Sequence, residues 1–208
     1  MNQHTIFDTP IVAPICRLLA KFLLLIAGWK RGDDAPAIDK YVLIAAPHTS
    51  NWDFYFTLLI AFDYKLKIFW MGKDTLFKGV LGPIMRWLGG ISVNRSSSNN
   101  LVGQTIEAFK QNDKLIVTVP PEGTRGKVSY WKSGFYHIAH GAGVPIVLGY
   151  LDFGRKIGGL GPVFHPTGDF EKDLVEIKKF YAPIKGKYSH LFSEEAVKSR
   201  KESEDKKD

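Results

Sequence analysis

Cysteine is nearly absent from this sequence, which contains one Cys, Cys16, among 208 residues. A single thiol cannot form an internal disulfide or a site with several thiolate ligands, and such scarcity is typical of a reducing compartment. The sequence also lacks a Gly-x-Ser-x-Gly motif, a His-Glu-x-x-His motif and a P-loop. These absences exclude a disulfide framework and argue against several common classes of hydrolase and nucleotide-binding site.

The charge of the chain is unevenly distributed. The sequence has 28 Lys and Arg against 21 Asp and Glu, a formal net charge of +7. Residues 193–208 contain five of the bases and six of the acids, so residues 1–192 have 23 bases and 15 acids. A basic body predicts an anionic partner, which could be nucleic acid, a membrane surface or a phosphorylated small molecule. No zinc-finger or RRM-like signature supports nucleic acid.

The N-terminal segment 11–29 is dominated by apolar residues, but its longest uninterrupted apolar run covers only residues 22–27. A membrane-spanning helix needs ~20 such residues. Arg17 and Lys21 are four positions apart and therefore share one stripe of a helix. This pattern favours a helix lying in the membrane interface, with a core-packing helix and a true span as alternatives. No cleavable signal peptide is expected.

The remainder alternates between short apolar runs and helical patterns, which predicts an α/β domain with a mostly parallel sheet flanked by helices. Residues 158–161 are expected to form a turn. We expect an N-terminal membrane-interface helix (1–35), a main α/β domain (36–192) and a charged tail (193–208). The predicted strands are 41–46, 67–71, 91–93, 115–119 and 144–151, and the predicted helices are 52–62, 79–88, 101–111, 131–142 and 174–181.

The first candidate for chemistry is the segment 47–53, which directly follows a predicted strand. His48 and Asp53 can meet if His48 lies on the loop and Asp53 lies on the first turn of the next helix, with Ser50 or Asn51 as its N-cap. A carboxylate against one imidazole nitrogen fixes the tautomer and leaves the other nitrogen to accept a proton. Alternatively, Asp53 is a helix-start charge and His48 a loop residue. One His and one Asp supply too few ligands for a metal site.

Two further segments follow predicted strands. Glu122, Gly123, Thr124 and Arg125 form a constrained loop after Pro120 and Pro121. Arg125 is suited to bidentate recognition of phosphate, although an ordinary turn with a surface ion pair would have the same composition. Arg95 ends the segment 90–95 before a polar loop.

The order of these segments resembles the glycerolipid (lysophospholipid) acyltransferases, the family of 1-acylglycerol-3-phosphate acyltransferase. His48 and Asp53 match its His-x4-Asp block, with Ser50 of the longer His-x-Ser-x-x-Asp form, and Glu122–Arg125 match its Glu-Gly-Thr-Arg block. Residues 90–95 resemble the second block and residues 144–146, with Pro145, resemble the fourth. The resemblance covers about residues 40–160.

The resemblance implies transfer of a fatty acyl group from acyl-CoA or acyl-carrier protein to a lysophospholipid hydroxyl. His48 would act as general base, Asp53 would orient it, and Arg95 and Arg125 would hold the acceptor phosphate. Glu122, Gly123 and Thr124 would shape that site, with Ser50, Asn51 and Pro145 in support. No metal or cofactor is implied.

The expected setting is the cytoplasmic face of a membrane, to which the enzyme would bind peripherally or monotopically. Departures from the family pattern, among them Pro47 and Pro120, surround the acceptor, so a non-glycerophosphate lipid stays open as the acceptor. A thioesterase that uses the same His and Asp, and a non-catalytic membrane-binding protein, are the competing hypotheses.

Overall fold

The computed structural model describes residues 3–93 and 98–192. Within these residues the chain forms one seven-stranded sheet and six α-helices. The strands are β1 (Lys30–Arg31), β2 (Lys40–Ala46), β3 (Ile68–Lys73), β4 (Gly90–Val93), β5 (Leu115–Val119), β6 (Ile146–Asp152) and β7 (Ile157–Phe164). The helices are α1 (Val12–Ile26), α2 (Trp52–Asp63), α3 (Leu81–Trp87), α4 (Ser98–Gln111), α5 (Gly134–Ala142) and α6 (Phe170–Tyr181), with 3₁₀ turns at Asp74–Phe77 and Ser189–Leu191.

The strands follow the order β1-β7-β6-β2-β5-β3-β4. The five strands from β6 to β4 are parallel, whereas β7 pairs antiparallel with β6 and β1 pairs parallel with β7. The prediction of a mostly parallel α/β fold is therefore confirmed. Helices connect the parallel strands because such connections must cross from one end of the sheet to the other.

The alternating side chains of β2 show that the sheet separates two apolar cores. Val42, Ile44 and Ala46 point to one core, while Tyr41 and Leu43 point to the other, as the two-residue repeat of a strand requires. The first core also contains buried side chains of α4, α5 and α6, and the second contains those of α1 and α2. Helices thus cover both faces of the sheet.

The expected turn at 158–161 was wrong, because these residues lie inside β7. Gly158 pairs with Leu151 and Gly159 with Tyr150. A Cβ at Gly158 would lie 2.9 Å from Ile60 Cδ1, so the missing side chain lets α2 pack closely against this strand. Glycine here serves a close approach rather than a turn.

Helix α1 has two different faces. Its inward face, including Ala20 and Leu24, is buried in the second core. Its outward face is apolar but exposed, and consists of Ile15, Leu18, Leu19, Phe22, Leu25 and Ile26, with Ile11 just before the helix. No helix within the described residues has both the length and the apolar content that crossing a membrane requires.

Candidate active site

The two motif-bearing loops meet at the carboxyl edge of the sheet. β2 and β5 are neighbouring parallel strands, with Ile44 opposite Val119, so both strands end at the same edge. The loop 47–51 follows β2 and leads into α2, and the loop 120–133 follows β5 and leads into α5. Such edges are where parallel α/β sheets bind their ligands.

His48 and Asp53 come together across the loop-to-helix junction. His48 Nδ1 lies 3.3 Å from Asp53 Oδ2, with His48 on the loop and Asp53 in the first turn of α2. Asp53 is 4% exposed. Its Oδ2 accepts hydrogen bonds of 2.7 Å from the backbone N–H groups of Thr49 and Ser50, and its Oδ1 accepts one of 3.0 Å from Ser50 Oγ.

This bonding fixes the carboxylate before any substrate arrives. Because Asp53 is locked by the loop that it closes, it has one orientation in which to receive the imidazole. A proton on Nδ1 of His48 completes that contact and leaves Nε2 as a proton acceptor. His48 retains partial exposure, with 23% of its side chain accessible, so a hydroxyl can reach it.

Glu122 ties the second loop to the first. Its Oε1 accepts a 3.0 Å hydrogen bond from the backbone N–H of His48. The side chain is buried, at 4% exposure, and Oε2 has no hydrogen-bond partner within the described part of the chain. Burial raises the pKa of Glu122 to about 7, since removal from water disfavours the charged form.

A cleft of about 1800 Å³ opens beside these residues. Its wall includes His48, Gly123 and Arg125, whereas Glu122 is not part of it. The cleft also has an apolar section, lined by side chains from α2, β3, the following 3₁₀ turn and α3: Phe54, Leu58, Trp70, Met71, Leu76 and Met85. The cleft therefore offers a proton acceptor between polar and hydrocarbon-like surroundings.

Two cations flank Gly123 in this wall. Gly123 has φ +64, a left-handed conformation that favours glycine, and a Cβ there would lie 2.9 Å from Lys132 Nζ. Arg125 is exposed and also lines the cleft. The sequence analysis did not single out Lys132 as a site residue. Its position 10 residues after Glu122, at the end of the same loop, was the available signal.

Comparison with known proteins identifies the family of this chain. The family model described as Acyltransferase matches residues 30–148, more than half of the chain. The chain belongs to the acyltransferase family. The matched segment contains both loops and the His48–Asp53 pair.

A solved structure shares the fold of this acyltransferase. It is the 1-acyl-sn-glycerophosphate (LPA) acyltransferase PlsC from Thermotoga maritima, with a TM-score of 0.56 and 19% sequence identity. The match covers 81% of this chain and 76% of that one. No curated protein matches the sequence. The family and its α/β fold are thus established.

The acyltransferase brings together most, though not all, of the residues singled out from sequence. Ser50 bonds Asp53, and Thr124 lies beside Arg125 in the cleft wall. Asn51 occupies the N-cap position of α2 and lines the cleft, but its side chain makes no capping hydrogen bond. Within residues 3–93 and 98–192, no group of three or more His, Cys, Asp and Glu residues is placed to hold a metal ion.

Of the residues predicted to support the site, Pro145 does not line the cleft. Pro145 directly precedes β6, at the opposite edge of the sheet, where its carbonyl accepts a 3.0 Å hydrogen bond from Val42 N–H. Arg95 lies outside the described residues.

Proposed function

We propose that this acyltransferase moves a fatty acyl group from acyl-CoA or acyl-carrier protein to a hydroxyl of a lysophospholipid such as 1-acylglycerol-3-phosphate. The observation that carries the proposal is the Asp53-bound imidazole of His48 in a cleft with both cationic and apolar walls. An amphipathic acceptor with a phosphate and an acyl chain has matching chemistry. The name of the PlsC protein that shares the fold supports the same acceptor class.

Catalysis needs a base, because an alcohol is a poor nucleophile at neutral pH. His48 Nε2 takes the hydroxyl proton as the oxygen attacks the thioester carbonyl, and Asp53 stabilises the resulting imidazolium. The new C–O bond forms, the C–S bond breaks, and the proton passes from His48 to the leaving sulfur. General-base action of this kind typically contributes about 10²–10⁴-fold to the rate.

The acceptor phosphate binds at the loop after β5. Arg125 provides a planar set of donors suited to two phosphate oxygens, and Lys132 provides a second positive charge over Gly123. Thr124 adds a hydroxyl in the same wall, and Arg95 contributes by family analogy.

Glu122 has a different role from its neighbours. A carboxylate would repel the phosphate, and this side chain is turned into the protein rather than into the cleft. Its bond to the backbone of His48 makes it a positioning residue that holds the base against the loop of Arg125. The bond thereby keeps the proposed base, His48, in a fixed position relative to the proposed phosphate-binding loop.

The outward face of α1 associates the enzyme with a phospholipid membrane as a peripheral or monotopic protein on the cytoplasmic face. Seven large apolar side chains in and just before this helix are exposed together. A contiguous exposed patch of this kind marks an interaction surface, and a helix with one buried and one exposed apolar face can lie in the interface plane.

The decisive experiment is a panel of lysolipids offered with acyl-CoA or acyl-carrier protein, with products identified by mass spectrometry. Acyl transfer that disappears in His48→Ala supports the proposal. Thioester cleavage without transfer to any acceptor would instead identify a thioesterase. Turnover that is unchanged in His48→Ala would reject the assigned base.

A further inference from the structure

Helices α1 and α2 are antiparallel neighbours, and this arrangement brings the end of α1 to the active-site edge. Arg17 and Leu18, in the first half of α1, border a small cavity with Phe62 and Asp63 at the end of α2. Trp29, just after α1, stacks on Phe56 near the start of α2 at 4.3 Å between ring centroids. The last turn of α1 therefore lies beside the helix start that carries Asp53.

A chain of aromatic rings connects that end of α1 to the catalytic loop. Phe56 contacts both Trp52, at 6.2 Å, and Tyr55, at 5.4 Å. Trp52 is 50% exposed and Tyr55 is 39% exposed, although both belong to the first turn of α2 and Trp52 directly precedes Asp53. Large aromatic side chains exposed next to a catalytic aspartate have no role in the reaction described above.

The cation of Lys187 lies against these rings. Lys187 Nζ lies 5.0 Å from the centre of the Trp52 ring and 5.7 Å from that of Phe153. The backbone N–H of Tyr188 donates a 3.2 Å hydrogen bond to Thr49 Oγ1, which fixes the segment of Lys187 against the catalytic loop. Four more exposed cations lie around the neighbouring β6–β7 turn: Lys30, Arg155, Lys156 and Lys185. Of these, Arg155 is paired with Asp152.

We propose that Trp52, Tyr55 and Lys187, here called the Trp52 patch, contact the headgroup layer of an anionic phospholipid bilayer and hold the catalytic loop at its surface. The proposal rests on the membrane association proposed above for α1 and adds where the bilayer meets the active site. The outward face of α1 enters the hydrocarbon boundary, and the Trp52 patch sits at headgroup depth.

The chemistry of the patch favours this occupant. Trp and Tyr combine an apolar ring with a polar edge and concentrate at the level of lipid headgroups. Lys places its charge in water beside anionic lipids while its stem covers apolar surface. The patch also lies near the end of α1, because Trp29, three residues after this helix, stacks on Phe56, which contacts both Trp52 and Tyr55.

The test uses the full-length chain and vesicles of phosphatidylglycerol and phosphatidylcholine in equal parts. Brominated lipids quench tryptophan fluorescence on contact, and Trp52 is the exposed indole of the patch. We expect quenching in the wild type, and at least a twofold smaller quenched fraction in Trp52→Phe at equal vesicle binding. An equal quenched fraction in the two proteins would overturn the proposal while leaving membrane association by α1 intact.

A charge pair of variants supplies the matched control. Lys187→Gln should bind the anionic vesicles on the order of fivefold more weakly. Lys114→Gln removes the same charge just before β5, at the opposite edge of the sheet, where Lys114 pairs with Asp39, and this variant should bind as the wild type does. Equal losses in both variants would reject a specific contact.

Two further outcomes and one additional assay separate the patch from the proposed function. If the wild type fails to sediment with any vesicle, both the membrane contact of the Trp52 patch and the membrane association of α1 are overturned. Acyl transfer to a water-soluble short-chain lysolipid tests the chemistry independently of vesicles. A higher KM for acyl-CoA in Lys187→Gln, with vesicle binding unchanged, would overturn the proposal and reassign Lys187 to the acyl donor.

Discussion

The backbone N–H of His48 donates a 3.0 Å hydrogen bond to Oε1 of Glu122, 74 residues further along the chain. This bond joins the loop after β2 to the loop after β5, which are neighbours only because their strands pair. It fixes the loop of the proposed base against the loop of the proposed phosphate site. Substitutions at Glu122 should therefore lower kcat while leaving the KM for the acceptor unchanged.

Glu122→Gln retains an oxygen that can accept from His48 N–H, so we expect a kcat within about threefold of the wild type. Glu122→Ala leaves the part-buried N–H of His48 without this acceptor, a cost of about 1 kcal/mol or more, and we expect kcat to fall on the order of tenfold. The acceptor KM should stay unchanged in both variants. Steady-state kinetics with varied acceptor checks this, and a raised KM with unchanged kcat would make Glu122 a substrate contact instead.

The raised pKa of Glu122 predicts a pH-dependent stability. Between the ordinary pKa of 4.5 and about 7, the unfolded chain ionises this carboxyl while the folded chain keeps it protonated. The free energy of unfolding should therefore decrease as pH rises through this window, by about 3 kcal/mol in total, and level off above it. Urea unfolding at several pH values measures the slope. Glu122→Gln should show a smaller decrease, and an identical decrease in both proteins would contradict the assignment.

Asp53→Asn should lower kcat by about 100-fold or more, because an amide cannot stabilise the imidazolium of His48 as a carboxylate does. It also weakens the charge-assisted bonds from the loop, so the melting temperature must be recorded beside the activity. Asp63→Asn, at the other end of α2, is the matched control and should keep full activity. Comparable losses of activity in both variants would contradict a specific role for Asp53.

Arg125→Ala and Lys132→Ala should each raise the KM for a phosphate-bearing acceptor by about tenfold, since each removes a cation from the cleft wall. The KM for the acyl donor should change far less. The comparison to make is with a lysolipid that lacks an accessible phosphate monoester. If the two substitutions raise the KM for that acceptor by the same factor, neither cation recognises the phosphate.

The outward face of α1 should determine vesicle binding. Leu18 and Leu25 are 73% and 76% exposed, so replacing both with Gln leaves the core intact and removes apolar surface from the interface. We expect cosedimentation with phospholipid vesicles to weaken by at least tenfold. Val175→Gln, at an exposed apolar position on α6, serves as the control. Undiminished binding in the double variant would assign membrane contact to another surface.

Local pattern and spacing were enough to predict much of this protein. The alternation of apolar runs and helical periods predicted the α/β class, and the placement of His48 before α2 and Asp53 in its first turn followed from a spacing of five residues. The Glu-Gly-Thr-Arg segment was predicted to follow a strand, as it does after β5. These features depend on residues that are close in sequence, where short-range geometry is decisive.

The tertiary structure alone decided which of those residues meet and which way they face. Strand order brings the loops of His48 and Glu122 together, moves Pro145 to the opposite edge and turns Glu122 into the interior. It also extends the sheet through the glycine-rich β7 and places Lys132 over Gly123. The reason is physical: burial and pairing between distant segments come from the packing of the whole core, which no local pattern of residue types specifies.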